Sequence, residues 1–171
     1  MAAGSTYTPI ATTTLGSAAA SYTFSSIPST YTDIVLIGSV RSDKTTANSD
    51  TITFRLNGDT GTNYSNTILK GTGSAASSNR RSNDAQWYAG EVSSNGDTSN
   101  IFTPIIVQFQ NYANASTYKT VLFRTNAVNT DVEASVGLWR STSAINSITI
   151  YPAGGNFVSG STLTLYGIAA A

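Results

Sequence analysis

A chain of 171 residues is long enough for one domain with a buried core, and its 40% hydrophobic content excludes a disordered segment. Charged residues make up only 11% and the formal net charge is +0 with no basic patch, which argues against binding nucleic acid through its phosphates. Cysteine and histidine are absent, which excludes disulfides and thiolate chemistry and removes the usual general base near neutral pH and the commonest zinc ligand.

The N-terminal stretch MAAGSTYTPIATTTLGSAAA contains neither a basic segment nor a continuous apolar segment. Secretory signal peptides have both, so we expect a protein that is made in a cytoplasm without an export signal. Apolar runs elsewhere are shorter than the ~20 residues of a membrane-spanning helix, so we expect no membrane partner.

Strand patterns follow one another along almost the whole chain. The segments are rich in Val, Ile, Thr, Tyr and Phe, which suit a pleated and half-buried surface. The pattern is weaker in the first two segments and in the fifth and sixth. In chain order the candidate segments, from which we expect about nine or ten strands, cover residues 6–15, 21–27, 31–41, 51–57, 67–70, 86–92, 101–112, 118–127, 130–140, 145–155 and 161–169.

Segment 51–57 alternates, so that Ile52, Phe54 and Leu56 share one face and are predicted to enter the core. It runs into a loop with Asn57, Gly58 and Asp59. Calcium takes about six to eight oxygens, usually from several carboxylates, and this loop supplies a single carboxylate. Asn-Gly and Asp tolerate a positive φ, so we predict a tight turn, with a calcium site as the alternative.

Segment 130–140 also alternates, and its apolar residues lie opposite Asp131 and Glu133. The two acidic residues share a face, with their Cα atoms about 7 Å apart by strand rise. Paired carboxylates hydrolyse glycosides at roughly 5–10 Å, but catalysis also needs a raised pKa and a cleft, for which the sequence has no sign. We therefore interpret the pair as part of a solvated outer face. The apolar residues are Val132, Ala134, Val136 and Leu138.

The number and spacing of the segments predict an all-β fold, a single β-sandwich of jelly-roll type with about nine or ten strands. Residues 1–20 are predicted to form an N-terminal strand or an extended arm, and residues 21–171 the β-sandwich domain. Residues 71–84 have the composition of a long exposed loop. Good helix formers are scarce, and the one helix-like spot is a short turn at 77–85.

Three stretches carry a resemblance to a known family: YTFSSIPSTYTDIVLIGSVR (22–41), FRLNGDTGTNYS (54–65) and NFVSGSTLTLYGI (156–168). They are similar to small structural proteins of tailed bacteriophages, and the likeness spans most of the chain. The resemblance implies a virion component of the capsid decoration (cement) type or of the tail- or fibre-associated type. It implies no enzymatic residues, so we expect no catalytic residues. We also expect no cofactor, and no metal, because the loop at Asp59 offers a single carboxylate.

Aromatic residues near loops and the one adjacent basic pair are the candidate contact residues. Rings at strand ends stack on sugars or anchor protein interfaces, and arginines pair with acidic partner surfaces. The alternative is core packing for the rings and simple solvation for the arginines. The candidates are Tyr64, Arg80, Arg81, Trp87, Tyr88 and Trp139.

Together these observations predict a non-enzymatic phage virion protein, in the first place a capsid decoration protein that stabilises the shell through repeated protein–protein contacts. Its partners would be the major capsid or tail protein and its own copies, with a trimer favoured because virions offer three-fold positions. The alternative is a tail- or fibre-associated module that recognises host surface glycans through loops at 58–66, 71–86 and 93–100. We expect it in the virion after synthesis in the host cytoplasm. An enzyme such as a depolymerase is the third hypothesis.

Overall fold

Residues 6–169 are described by the computed structural model, and every regular element among them is a β-strand. This part of the chain accordingly holds no helix that is long and apolar enough to cross a membrane. In chain order the strands are β1 (Tyr7–Thr14), β2 (Tyr22–Phe24), β3 (Asp33–Val40), β4 (Ser49–Leu56), β5 (Tyr64–Gly71), β6 (Ala76–Asp84), β7 (Trp87–Ser93), β8 (Thr103–Phe109), β9 (Lys119–Ala127), β10 (Asp131–Trp139), β11 (Ile148–Pro152) and β12 (Thr162–Ile168).

The strands form one continuous sheet that folds into two layers. The larger layer has the order β1-β12-β3-β8-β9-β10-β5-β6, and the smaller has the order β7-β4-β11-β2. All these pairings are antiparallel, and a single parallel pair, Val92 with Asn126, joins β7 to β9 and so connects the layers. Strands far apart in sequence are neighbours, as in jelly-roll and Greek-key connections. The prediction of an all-β sandwich is confirmed, with twelve strands instead of nine or ten.

The core lies between the two layers. Phe54 of β4 and Trp87 of β7 both contact Phe123 of β9, each with ring centroids 5.4 Å apart. The predicted inward face of β4 is confirmed, because Ile52, Phe54 and Leu56 are fully buried. Alternation along each strand thus delivers large apolar side chains to one continuous interior.

Residues 71–84 do not form the long loop predicted from their composition, nor does a helix-like turn occur at 77–85. Ala76–Asp84 is β6, which pairs antiparallel with β5, and residues 72–75 make the turn between them. The prediction is wrong because Ser, Asn and Arg have low strand propensity, whereas pairing with β5 supplies the hydrogen bonds that keep them extended. The expected exposure of this segment is observed along β6.

β1 pairs with β12 of the same chain, with one register irregularity between Pro9 and Ala11. Of the two alternatives for residues 1–20, a strand within the domain is what the structure shows for Tyr7–Thr14. Residues 1–5 lie outside the described part of the chain.

The loop after β4 is a tight turn, as its residues predict. Asn57 has φ 52° and Gly58 has φ 67°, the left-handed conformation that Asn and Gly tolerate best. The Asp59 carboxylate accepts hydrogen bonds from Gly61 N at 2.8 Å, from Asn63 Nδ2 at 2.9 Å and from Trp139 Nε1 at 2.7 Å. Both oxygens of this carboxylate therefore serve the turn and its contact with β10.

We predict that Asp59→Asn lowers the free energy of unfolding by about 2 kcal/mol at neutral pH, because an amide nitrogen replaces one of the two acceptor oxygens. Burial alone would raise the pKa of Asp59, but hydrogen bonds from Trp139, Asn63 and Gly61 bring it below its ordinary value. A depressed carboxyl pKa gives stability that is present above the unfolded value of 3.8 and is lost as pH falls through the folded pKa. Urea unfolding at neutral and strongly acidic pH should show the difference from wild type shrinking in acid. A pH-independent difference would contradict this reason.

Candidate functional site

The outer surface of β8, β9, β10 and β5 is apolar, and we call it the apolar face. Its side chains stand in rows across the paired strands: Ile106, Arg124, Ala134 and Leu69 occupy consecutive paired positions in one row. The face consists of Leu69, Pro104, Ile106, Leu122, Arg124, Val132, Ala134 and Val136.

Four of these side chains are strongly exposed: Leu69 at 61%, Val132 at 64%, Val136 at 45% and Leu122 at 42%. Two hollows of about 540 and 550 Å³ lie on this surface and share Leu69, Arg124 and Ala134, so they form one groove. Arg124 is exposed in the groove and makes no hydrogen bond or ion pair within the described residues. The groove is therefore an apolar surface with one free cation.

This arrangement reverses the predicted orientation of β10. Asp131 and Glu133 do not lie on a solvated outer face, because their side chains are 0% and 5% exposed. The valines between them face solvent instead. The prediction is wrong because a lysine from the neighbouring strand β5 compensates the acidic side, which leaves the apolar side free to be the outer one.

The compensating residue is Lys70, whose Nζ lies 2.6 Å from Asp131 Oδ2 and 3.2 Å from Glu133 Oε1. Glu133 Oε2 also accepts a hydrogen bond from the backbone N–H of Glu91 at 3.0 Å. Burial raises the pKa of Glu133 above its ordinary value and the charge of Asp131 adds to this, while Lys70 acts in the opposite direction. The three side chains form one charge cluster, in which the two acids are buried and Lys70 is partly exposed.

Gly90 of β7 has no side chain, and the carboxylate of Glu133 occupies the space that a side chain would fill. A Cβ atom there would lie 2.4 Å from Glu133 Oε2 and 2.0 Å from Thr125 Oγ1, and Gly90 has φ 142°. Only glycine fits both the contact and the backbone conformation.

A second concave site, the polar pocket, lies where the β5–β6 hairpin approaches the outer surface of β4 and β7. Arg81 of β6 stacks on the ring of Tyr88 with its guanidinium carbon 3.8 Å from the centroid, and it pairs with Asp84 at 2.9 Å. Thr51 Oγ1 donates to Glu91 Oε1 at 3.0 Å. The pocket has a volume of about 230 Å³ and is lined by Thr51, Ile68, Lys70, Ser77, Asn79, Arg81, Tyr88, Gly90, Glu91 and Glu133.

Three of the six candidate contact residues are in the core. Tyr64 and Trp87 are fully buried and Trp139 is 2% exposed. The prediction that they contact a ligand or partner at the surface is therefore wrong for these three residues. The reason is their alternation: each takes an inward position, and the rings pack together, with Tyr64 5.3 Å from Trp87 and 6.4 Å from Trp139.

The other three candidates lie on the surface of the β5–β6 hairpin or next to it. Arg81 and Tyr88 meet in the polar pocket, and Arg80 is exposed on β6. The sequence predicted neither the apolar face nor the acidic lining of the polar pocket. The alternation in segment 130–140 was a signal for the apolar face, but it does not indicate which set of side chains faces inward.

No protein-family model matches this chain, and no curated protein matches it. Among solved structures it is similar to the CBM40 domain of a Ruminococcus gnavus IT-sialidase bound to α2,3-sialyllactose, with 7% identity, a TM-score of 0.43 and coverage of 96% of this chain and 95% of that one. It is also similar to toad ovary galectin in complex with thio-digalactose, with 10% identity, a TM-score of 0.37 and coverage of 86% and 98%. An exo-inulinase from Aspergillus awamori has 13% identity and a TM-score of 0.41, with 95% of this chain and 29% of that chain covered. The likeness is one of strand arrangement, and the resemblance to phage structural proteins stays a prediction.

Proposed function

We propose that this protein is a non-enzymatic structural component of a tailed-phage virion and that the apolar face is the surface by which it binds another virion protein. The exposed apolar face is the observation that carries the proposal. Large contiguous apolar patches on a soluble domain mark interaction sites. The phage-like stretches in the sequence support the same role.

The energetics favour repeated contact. Burying apolar surface contributes about 25 cal/mol per Å², and a stable interface generally needs at least about 1,000 Å² in total. A symmetric assembly repeats each contact many times, so a modest individual interface is strengthened by avidity.

The partner surface is apolar and carries a carboxylate. Arg124 lies in the middle of the groove without a partner in the described residues, and arginine is enriched at interface centres because it pairs well with carboxylates. A two-fold contact between copies centred on this face would instead bring two Arg124 side chains together. The charge therefore favours a different protein over a second copy.

Contact through the open edge of β6 is disfavoured. β6 pairs only with β5 among the described strands, so it has one open edge. Arg80 and Arg81 stand on this strand, and charged side chains on an edge strand oppose pairing with another chain. The apolar face is therefore favoured over the edge at β6 as the binding surface.

Selection of peptides tests this proposal without knowledge of the partner. A yeast-displayed library of random peptides is selected on the wild type and counter-selected on Val132→Ser/Val136→Ser, which removes apolar groups only from exposed positions. We expect the peptides selected on the wild type to be apolar and to contain an Asp or Glu. The variant Arg124→Glu should instead select sequences with Lys or Arg. Failure to obtain peptides that distinguish wild type from the double variant would overturn the assignment of this face.

Two further measurements separate the parts of the proposal. Light scattering after size exclusion should give the same oligomeric state for wild type and Val132→Ser/Val136→Ser. A dimer or trimer that dissociates in the variant would show that a second copy occupies the face. Quantitative mass spectrometry of purified particles of the phage that encodes the chain tests the virion role: hundreds of copies indicate decoration, a few tens indicate a tail or fibre, and absence refutes it.

A further inference from the structure

We propose that the polar pocket is a second binding site and that it takes one ring of an uncharged sugar. Lys70 and Glu133 border both this pocket and the groove, but other lining side chains differ: Ser77, Asn79 and Glu91 line the polar pocket and do not line the groove. Substitution of these unshared residues can therefore change one site without changing the other.

The size of the pocket suits a small ligand. Its volume of about 230 Å³ equals the space of about eight water molecules at roughly 30 Å³ each, which matches a single pyranose ring. Ile68 supplies apolar surface for C–H groups, the Tyr88 ring lies beside it under the Arg81 guanidinium, and polar side chains surround them. Sugars present this combination of C–H patches and hydroxyl groups.

The charges select against an acidic ligand. Lys70 is already paired with Asp131 and Glu133, and Arg81 is already paired with Asp84. Each cation of the pocket lining thus has a carboxylate partner, and none is free to neutralise an acid. A carboxylate or phosphate entering here would also face Glu91.

The remaining hydrogen-bonding groups suit hydroxyls. Glu91 Oε1 accepts from Thr51, whereas its Oε2 has no partner among the described residues. The side chains of Ser77 and Asn79 line the pocket and also make no hydrogen bond within that part of the chain. A carboxylate oxygen, an amide and a hydroxyl can together accept hydrogen bonds from sugar hydroxyls and donate hydrogen bonds to them. These three residues are the specificity-determining groups of the proposed site.

Titration followed by ¹⁵N–¹H NMR tests the proposal with four probes: methyl β-D-galactopyranoside, methyl α-D-glucopyranoside, glucosamine and N-acetylneuraminic acid. We expect at least one of the two uncharged methyl glycosides to shift the amide signals of Asn79 and Glu91, and N-acetylneuraminic acid to leave them in place. Glu91→Gln should weaken that binding about tenfold, as the loss of a hydrogen bond to a charged acceptor does.

A matched pair of variants on β6 provides the control. Ser77→Ala removes a hydroxyl from the polar pocket, and Ser78→Ala removes the same group from the opposite side of the strand, beside the apolar groove. Ser77→Ala should weaken sugar binding and Ser78→Ala should not. Equal effects of the two variants, stronger binding of glucosamine or N-acetylneuraminic acid, or no shift with either methyl glycoside would each overturn the proposal and leave the function of the apolar face untouched.

Discussion

Lys70→Met is expected to lower the free energy of unfolding by about 3 kcal/mol near neutral pH. The side chain of Asp131 is 0% exposed and that of Glu133 is 5% exposed, and Lys70 is the cation within ion-pair distance of both. Removing one partner of a buried ion pair leaves uncompensated charge, which is among the most costly single changes in a protein interior. Methionine keeps most of the length of the stem, so the loss reports the charge.

The loss should depend on pH in a defined direction. Burial and the charge of Asp131 raise the pKa of Glu133 above 4.5, and the loss of Lys70 removes the group that opposes this rise. A carboxyl with a raised folded pKa binds a proton on folding, so its stability contribution is full below the unfolded pKa and is lost as pH rises through the folded pKa. Urea unfolding of Lys70→Met should therefore show a smaller deficit at about pH 5 than at about pH 7.5.

Two variants control this experiment. Lys119 is also buried, but its Nζ donates to the backbone carbonyls of Thr117 and Thr142 and has no carboxylate partner among the described residues. Lys119→Met should be destabilising without the recovery toward about pH 5. Adding Asp131→Asn and Glu133→Gln to Lys70→Met should restore much of the lost stability. A deficit that is the same at both pH values would contradict the buried-charge explanation.

The strand positions are largely predictable because alternation and turn residues are local signals. The inward face of β4 follows from Ile52, Phe54 and Leu56, and the turn after it follows from Asn57 and Gly58. The inward face and the turn each depend on neighbouring residues in the sequence, so they can be predicted without knowing which distant strands pair.

The orientation of β10 is not predictable in the same way. Alternation separates Val132 and Val136 from Asp131 and Glu133, but it does not say which set faces inward. That choice depends on Lys70, which lies more than 60 residues earlier and reaches the acids only because β5 pairs with β10. The apolar face and the polar pocket both follow from this tertiary pairing.

β6 illustrates the same limit. Its residues have low strand propensity, and pairing with β5 makes it a strand. Arg81 reaches the ring of Tyr88 only after the hairpin forms. Arg81 and Tyr88 were both identifiable as candidates by residue type, whereas their contact was not.

Trp87→Ala is expected to cost about 3–5 kcal/mol of unfolding free energy, the range for removing a large buried aromatic side chain. The indole is fully buried and packs edge-on against Tyr64 and Phe123 at centroid distances of 5.3 and 5.4 Å. Its Nε1–H donates to the carbonyls of Ser65 and Leu138, both at 3.1 Å. The ring thus joins β7 to both β5 and β10, and its removal opens a cavity at the junction of the two layers.

Two neighbouring changes separate packing from hydrogen bonding. Trp87→Phe retains an aromatic ring but leaves the carbonyls of Ser65 and Leu138 without this donor, so it should cost less than Trp87→Ala and more than about 1 kcal/mol. Tyr88→Phe, one position along the strand and on the outward side, should change stability by less than about 0.5 kcal/mol. Urea unfolding followed by circular dichroism measures all three variants. If Trp87→Ala and Tyr88→Phe had similar stabilities, the indole would not join the two layers, because its removal would then cost no more than the loss of one surface hydroxyl.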